Sequence, residues 1–269
     1  MDDHVNEFFS SGSAHRDKFY KVIPLHGGVD MDWSSVSKLV PQMCKGWFEL
    51  SRLPVKTRIQ FTFEFWLSKM PYHPNSDTAF SAFFDALDDI GIFLTQKASG
   101  EPFDAQMVYS LSKNRGFYQG SINASEHDIL YLQKLYPDFI LPKDYLSFLQ
   151  IHNGFCKATD CSGIIGTKQA ELKRAAFREW IQAQELLVTK SGKIVDPTTL
   201  IPFYESFGMP FYQCFWAEWH PIDEMGNVYY SGADNTISDR LDENGRSCDQ
   251  MAFPSFSHWL IFYLEQIDV

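Results

Sequence analysis

One group of metal-ligand residue types lies near the middle of the chain, where His152, Cys156, Asp160 and Cys161 fall close together. Structural zinc sites need four ligands and usually use tightly spaced cysteine pairs, and the sequence has no such pair. His152 also falls on the apolar stripe of a predicted helix. The pattern therefore favours a core histidine with free thiols, and we predict no metal and no cofactor.

Two further patterns could carry chemistry, and both are incomplete. Residues 162–168 read SGIIGTK, whereas a P-loop needs G-x-x-x-x-G-K-[ST], so Thr167 and Lys168 stand at the wrong offset. This segment is better interpreted as a turn that leads into a helix capped by Thr167. No G-x-S-x-G motif is present. The adjacent carboxylates Asp223 and Glu224 would not oppose each other across a cleft.

The sequence therefore favours a binding protein over an enzyme. The alternative is a hydrolase-like enzyme with its site between the two halves of the chain, using residues such as His220, Asp234 or Glu218. A deep pocket with a strongly shifted titrating group would favour that alternative. A third reading is an adaptor whose two halves bind different partners.

The composition limits the partner and the compartment. The chain has 269 residues and a net charge of −11, which argues against nucleic acid and against an anionic membrane surface as partners. A basic protein partner is compatible with this charge. The N-terminus is acidic and lacks the basic start and apolar run of a secretory signal. Together with the five scattered cysteines, this N-terminus favours a cytoplasmic protein with reduced thiols.

Most of the negative charge lies in residues 205–249, where nine acidic residues face two arginines, a net charge of −7. Solvated loops would explain this run. Aromatic residues crowd the same stretch, and we expect most of them in the core. Two or three exposed rings beside the acids would form an aromatic anchor with an acidic rim. The predicted partner-binding residues are Tyr204, Glu205, Trp216, Glu218, Trp219, Asp223, Glu224, Tyr230, Asp234, Asp239 and Asp242.

The N-terminal half is predicted to be a mainly helical α+β region. Residues 1–17 are expected to form a loose tail, followed by a region over residues 18–120. Helices are predicted around residues 33–70 and 80–89, with Pro54 and Pro71 bounding one of them. Residues 90–96 and 105–111 predict a hairpin. Residues 112–124 form a weak boundary that is rich in Gly and Asn.

The second half, residues 125–269, has clearer signals. Ser125 to Asp128 resembles a capping box, and Pro142 can open the next helix. Tyr145, Phe148, Leu149 and His152 share one buried stripe of that helix. A helix over residues 167–186 is predicted to bury Leu172, Ala176, Trp180 and Ile181. A hairpin at residues 186–196, strands at 200–204, 211–216 and 227–231, and a final helix beginning near Pro254 complete the prediction.

This order of elements resembles the SUKH superfamily (Smi/Knr type) over roughly residues 125–269. The residues that carry the resemblance are Leu141, Pro142, Tyr145, Phe148, Leu149, Asn153 and Gly154, then Leu200-Ile201-Pro202-Phe203, Gly226-Asn227-Val228, and Phe253-Pro254-Ser255-Phe256 with Trp259, Leu260, Tyr263 and Leu264. The chain departs from the family in two places. Residues 136–140 lack the usual Gly, and Phe155 stands where a second Gly is common.

The resemblance implies an α+β fold in which helices pack on a β-sheet, with no enzymatic chemistry. Bacterial members of the family are immunity proteins that bind toxins, and fungal members are regulatory adaptors. The resemblance thus implies a protein-binding module of immunity or adaptor type. Residues 1–120 lie outside it.

Overall fold

The computed structural model describes residues 1, 3–9, 19–158, 160, 162–182, 186–206, 209–239, 241 and 251–265. Its helices in these ranges are α1 (Asp3–Phe8), α2 (Trp33–Leu39), α3 (Lys45–Ser51), α4 (Val55–Lys69), α5 (Ser76–Asp85), α6 (Glu126–Leu135), α7 (Lys143–Leu149), α8 (Thr167–Gln182) and α9 (Phe256–Glu265). A search of the described residues finds no helix with the length and apolar character needed to span a bilayer.

The strands all belong to one sheet. They are β1 (Lys21–Pro24), β2 (Leu87–Gln96), β3 (Asp104–Leu111), β4 (Phe117–Ser121), β5 (Phe155–Lys157), β6 (Ser162–Ile164), β7 (Val188–Thr189), β8 (Leu200–Ser206), β9 (Phe211–Trp216), β10 (Asn227–Ser231), β11 (Thr236–Ser238) and β12 (Ala252–Phe253). Their order is β1-β2-β3-β4-β5-β6-β8-β9-β10-β11-β7, and β12 pairs with β10. Only β7 and β11 pair in parallel among the described strands. The predicted α+β class is confirmed.

Side chains alternate between the two faces of this sheet. Ile92 and Leu94 belong to the main core with α3, α4, α5, α7 and α9, whereas Phe93 between them packs with the residues of α1. Farther along, Phe215 belongs to the main core, and its neighbour Trp216 packs with α8. Most helices therefore cover one face, here called the main face. Helices α1 and α8 cover parts of the opposite face.

Several local predictions are confirmed. Ser125 caps α6 and forms a reciprocal capping box with Asp128. Pro54 precedes α4, which runs through the ambiguous aromatic segment as predicted. The hairpin of β2 and β3 forms, although β2 begins at Leu87, inside the helix predicted over residues 80–89.

The predicted loose tail is wrong for residues 3–9. This segment forms α1 and buries Val5 and Phe9 on the sheet. Phe9 stacks on Phe93 with ring centroids 4.1 Å apart. Burial of apolar side chains outweighs the polar composition that suggested a tail. Residues 2 and 10–17 of the predicted tail lie outside the described residues.

The predicted inner face of α8 is partly wrong. Ile181 is buried, but Leu172 is 70% exposed and Trp180 43% exposed. Phe177 supplies the buried surface instead, and its ring packs against Tyr212 and Tyr230. Apolar residues occur on two sides of this helix, so periodicity alone does not select the side that faces the sheet.

The sheet continues across the boundary predicted at residues 112–124. That segment contains β4, which pairs with β3 on one side and with β5 on the other. Backbone hydrogen bonds therefore link the N-terminal region to the C-terminal one. The division into two domains stays a prediction.

Candidate functional site

The predicted aromatic anchor is not formed as expected, because two of the four aromatic residues predicted to bind a partner are buried. Trp216 is 2% exposed, and Tyr230 is fully buried under α8. Trp219 is half-buried and packs near Trp216, with its ring over Gly226. Tyr204 is half-buried against Trp259 of α9. These rings pack inside the protein, so Trp216 and Tyr230 offer no surface to a partner.

Several acidic residues of the predicted rim are also buried or half-buried. Glu205 is buried, with one carboxylate oxygen 2.5 Å from Nζ of Lys173. Glu224 is half-buried and accepts a hydrogen bond of 3.2 Å from the backbone N–H of Lys143; burial is the main cause that raises the pKa of its carboxyl. Asp239 is half-buried and accepts a hydrogen bond from the hydroxyl of Ser191.

Three of the predicted acids remain exposed: Glu218, Asp223 and Asp234. They are available to attract a basic partner. Asp242 lies outside the described residues.

A cavity that the sequence did not indicate lies between α3, α4, the residues before α6 and those after α7. Its volume is about 540 Å³, within the usual range for ligand sites. Its apolar wall includes Trp47 and Leu50 of α3, Phe61 and Phe65 of α4, and Ile151 after α7. Phe61 is 55% exposed and Phe65 42% exposed. Exposed aromatic side chains beside an open cavity are typical of an interaction site.

The rest of α4 explains why these phenylalanines face outward. Arg58, Thr62 and Trp66, spaced four residues apart, form its buried side. The guanidinium of Arg58 lies 2.5 Å from the carboxylate of Asp89, and the Thr62 hydroxyl donates to the Arg58 carbonyl. Most polar groups of this side have partners, although Arg58 Nε has none among the described residues. Because most of them are paired, the helix can bury this side and leave an apolar side exposed.

A buried chain of hydrogen bonds, the floor network, lies beneath the cavity and joins Trp66, Tyr109, His152 and Ser121. His152 Nδ1 lies 3.0 Å from the Ser121 carbonyl oxygen, which can only accept, so Nδ1 carries the proton. His152 Nε2 then accepts from the Tyr109 hydroxyl at 2.6 Å. The same hydroxyl accepts from the Trp66 indole N–H at 3.1 Å. Every polar group of the floor network thus has its partner inside the protein.

Burial keeps both titratable groups of the floor network neutral. Loss of solvation lowers the pKa of His152 to about 4, and the hydrogen bond from Nδ1 to Ser121 opposes this only in part. Burial also raises the pKa of Tyr109 well above its usual value. A neutral imidazole and a neutral phenol that bond to each other supply no free base or nucleophile to the cavity.

Two charged residues stand at the rim of the cavity. The Lys69 ammonium lies 5.8 Å from the centre of the Phe65 ring, a cation–π arrangement. Glu126 is exposed at the first position of α6. The cavity is thus apolar inside, with one charge of each sign at its mouth.

The residues of the other predicted sites do not converge. His152 lies on the main face, whereas Cys156, which contacts Gln119, lies on the opposite face; Cys161 is outside the described residues. In the described part of the chain no three His, Cys, Asp or Glu side chains form a group suited to a metal ion. Thr167 begins α8, and its N–H donates to the side chain of Asn153 at 2.7 Å.

The residues of the enzyme hypothesis, His220, Asp234 and Glu218, are all exposed. The described residues that line the 540 Å³ cavity include none of these three. The strongly shifted titrating groups at this cavity are His152 and Tyr109, and both belong to the floor network.

Sequence reasoning placed His152 correctly on a buried stripe but gave no indication of the cavity. Its walls come from α3, α4 and residues 123–126 and 150–152, which are far apart in the sequence. One signal was present: α4 carries aromatic residues on more than one side, so one aromatic side had to remain outside the core.

Comparison with known proteins assigns the chain to no family. No family model matches it, and no match was found among curated proteins.

Proposed function

We propose that this chain is a non-catalytic protein-binding module that takes apolar side chains of another protein into the cavity between α3 and α4. The observation that carries this proposal is the open apolar wall formed by Trp47, Phe61 and Phe65 above a floor whose polar groups are already paired. The resemblance to the SUKH superfamily supports the same class of function. The partner is a basic protein met in the cytoplasm.

The size of the cavity suits a few anchoring side chains. Its volume of about 540 Å³ accommodates more than one apolar side chain of a partner. Burying each such side chain contributes roughly 1.5–3 kcal/mol. Interfaces gain most of their affinity from a few anchors of this kind, surrounded by contacts that exclude water.

The floor network supports binding rather than turnover. A general base must present a lone pair to the substrate, but the free lone pair of the His152 ring accepts from Tyr109. The network also fixes the positions of Trp66 and Tyr109 beneath the cavity, which keeps the site formed before a partner arrives.

Charge complementarity supports a basic partner. The net charge of −11 and the exposed acids Glu218, Asp223 and Asp234 attract cationic proteins from a distance. In this proposal the acids increase the association rate, and the apolar cavity provides most of the affinity.

Site-specific photo-crosslinking tests the proposal. A photoreactive phenylalanine analogue placed at position 61 or 65 is expected to capture a protein partner in native lysate, which mass spectrometry then identifies. Position 72 is the matched control, because Tyr72 is 92% exposed and lies outside the cavity. The captured partner, once purified, should bind the unmodified chain in a direct assay.

Affinity measurements with that partner separate the apolar and electrostatic contributions. Phe61→Ser and Phe65→Ser should each weaken binding about tenfold or more, mainly through faster dissociation. Tyr72→Ser should leave the affinity unchanged. Charge reversal at Asp223 and Asp234 should slow association and reduce its salt dependence. Equal affinity of the two phenylalanine variants and the control would refute the proposal.

A further inference from the structure

A second cavity, here called the polar cavity, lies at the end of strands β2 to β6. The polar side chains that these strands contribute to it lie on the opposite face of the sheet. The volume of the polar cavity is about 550 Å³. The strands supply Thr95 from β2, Gln106 from β3, Gln119 from β4 and Cys156 from β5. Its ligand chemistry therefore differs from that of the apolar cavity.

These four residues share one face because of the strand registers. Thr95 pairs with Asp104, so it lies diagonal to Gln106; Gln106 pairs with Ser121, so it lies diagonal to Gln119. Gln119 pairs directly with Cys156. Diagonal neighbours stand about 7–8 Å apart, within the span of a small ligand. A polar row thus crosses four adjacent strands on a face that is otherwise apolar around Phe93 and Phe117.

Two acceptors in this row are unpaired. Gln106 Oε1 and Gln119 Oε1 are buried and lack a hydrogen-bond partner within the described residues. The amide nitrogen of Gln119 does have a partner, since it donates to the Cys156 sulfur at 3.1 Å. An unpaired buried carbonyl oxygen is unfavourable, because it has lost its hydrogen bonds to water without replacement. A ligand that brings O–H or N–H donors to both oxygens would replace those hydrogen bonds.

The rim of the polar cavity carries equal numbers of positive and negative side chains and one aromatic ring. Lys97 and Lys168 contribute two positive charges, and Glu101 and Asp104 contribute two negative ones. These four side chains are exposed, and their charges cancel, which gives an ionic ligand no net attraction. Phe103, also at the cavity, is half-buried and offers apolar surface to the C–H groups of a ligand.

We propose that the polar cavity binds an uncharged, polyhydroxylated small molecule the size of a mono- or disaccharide. A hydroxyl group both donates and accepts, so it can pair with the glutamine oxygens and with the lysine and carboxylate groups of the rim. The proposal does not depend on the binding of a protein partner at the apolar cavity, because the two cavities share no lining residue.

Saturation-transfer NMR on the full chain tests this inference with glucose, maltose and myo-inositol as probes. At least one of them should show saturation transfer and a measurable dissociation constant. Glucose 6-phosphate should bind no more tightly than glucose, because the rim is electrically balanced. Gln106→Leu and Gln119→Leu should each weaken binding of the responding probe about tenfold, since each removes one acceptor.

Gln133→Leu on α6 is the matched control, because Gln133 is exposed and lies outside the polar cavity. It should bind the probe as the unmodified chain does. The cavity variants should fold, since each removes a buried carbonyl oxygen that lacks a partner and keeps a side chain of similar size. Gln119→Leu also removes the hydrogen bond to the Cys156 sulfur, and unfolding temperatures verify that both variants fold. Phe103→Ala gives an independent readout and should also weaken binding. Absence of saturation transfer from all three neutral probes, or equal affinity of all variants, would overturn the proposal.

Discussion

The floor network makes the stability of this protein depend on the protonation of His152. Its Nδ1 donates to Ser121 and its Nε2 accepts from Tyr109, so the neutral ring satisfies both nitrogens. A second proton, on Nε2, would point at the hydroxyl proton of Tyr109, so two donors would face each other without an acceptor. That hydroxyl could reorient only towards the Trp66 N–H, which is also a donor. Acid should therefore disrupt the network and destabilise the fold.

The size of this effect follows from the pKa of His152, which is about 4 in the folded protein and 6.5 when unperturbed. The unfolded chain binds the proton more readily, so the contribution is fully present above pH 6.5 and is lost as pH falls towards 4. At 1.36 kcal/mol per pKa unit, the loss between pH 7.5 and 4.5 is about 2.5 kcal/mol.

Urea unfolding of the wild type and of His152→Gln, at intervals from pH 7.5 to 4.5, measures this loss. The variant should be less stable at pH 7.5, because it loses the ring that lies against Gly120. Its disadvantage should shrink by about 2.5 kcal/mol by pH 4.5, while contributions from carboxylates and other histidines cancel in the comparison. His127→Gln, at an exposed position, controls for removal of an imidazole. A wild-type advantage that stays constant across this range would refute the reasoning.

Three further substitutions test the packing described above by chemical denaturation. Tyr109→Phe should lower the free energy of unfolding by roughly 2–4 kcal/mol, since it leaves two buried groups of the floor network unpaired. Asp89→Asn should cost about 3–5 kcal/mol because it leaves the buried guanidinium of Arg58 uncompensated, whereas Asp88→Asn at an exposed neighbouring position should cost much less. Gly120→Ala should cost at least ~1–3 kcal/mol, because the new Cβ would lie 2.3 Å from the His152 ring.

Local signals in the sequence predicted much of the fold. The capping box at Ser125, the start of α4 after Pro54 and the hairpin of β2 and β3 all depend on residues that are close in the chain. The alternating and helical patterns also predicted β2, β3, β8, β9, β10 and the terminal helix α9 nearly as they are observed, but they did not predict β1, β4, β5, β6, β11 or β12. Interactions of this kind are local, so one sequence is enough to identify them.

Tertiary packing decided the features that the sequence did not reveal. Composition showed that aromatic residues crowd the C-terminal half, but packing against α8 determines that Trp216 and Tyr230 are buried. The apolar cavity has the same origin, since its walls come from separate helices and loops. Helix α8 has apolar residues on two sides, and the side that packs on the sheet contains Phe177 and not Leu172.

The pairing of β4 with β5 determines how the chain can be divided. A fragment that begins at residue 125 would lack β4, and β5 would become an edge strand with unpaired backbone groups. Phe155, which stacks on Tyr118 of β4 with ring centroids 5.3 Å apart, would lose that cover. Exposed edges of this kind promote aggregation between chains. A cut after β5 instead of before it would move the same liability to β6, so the sheet favours expression of the chain as one piece.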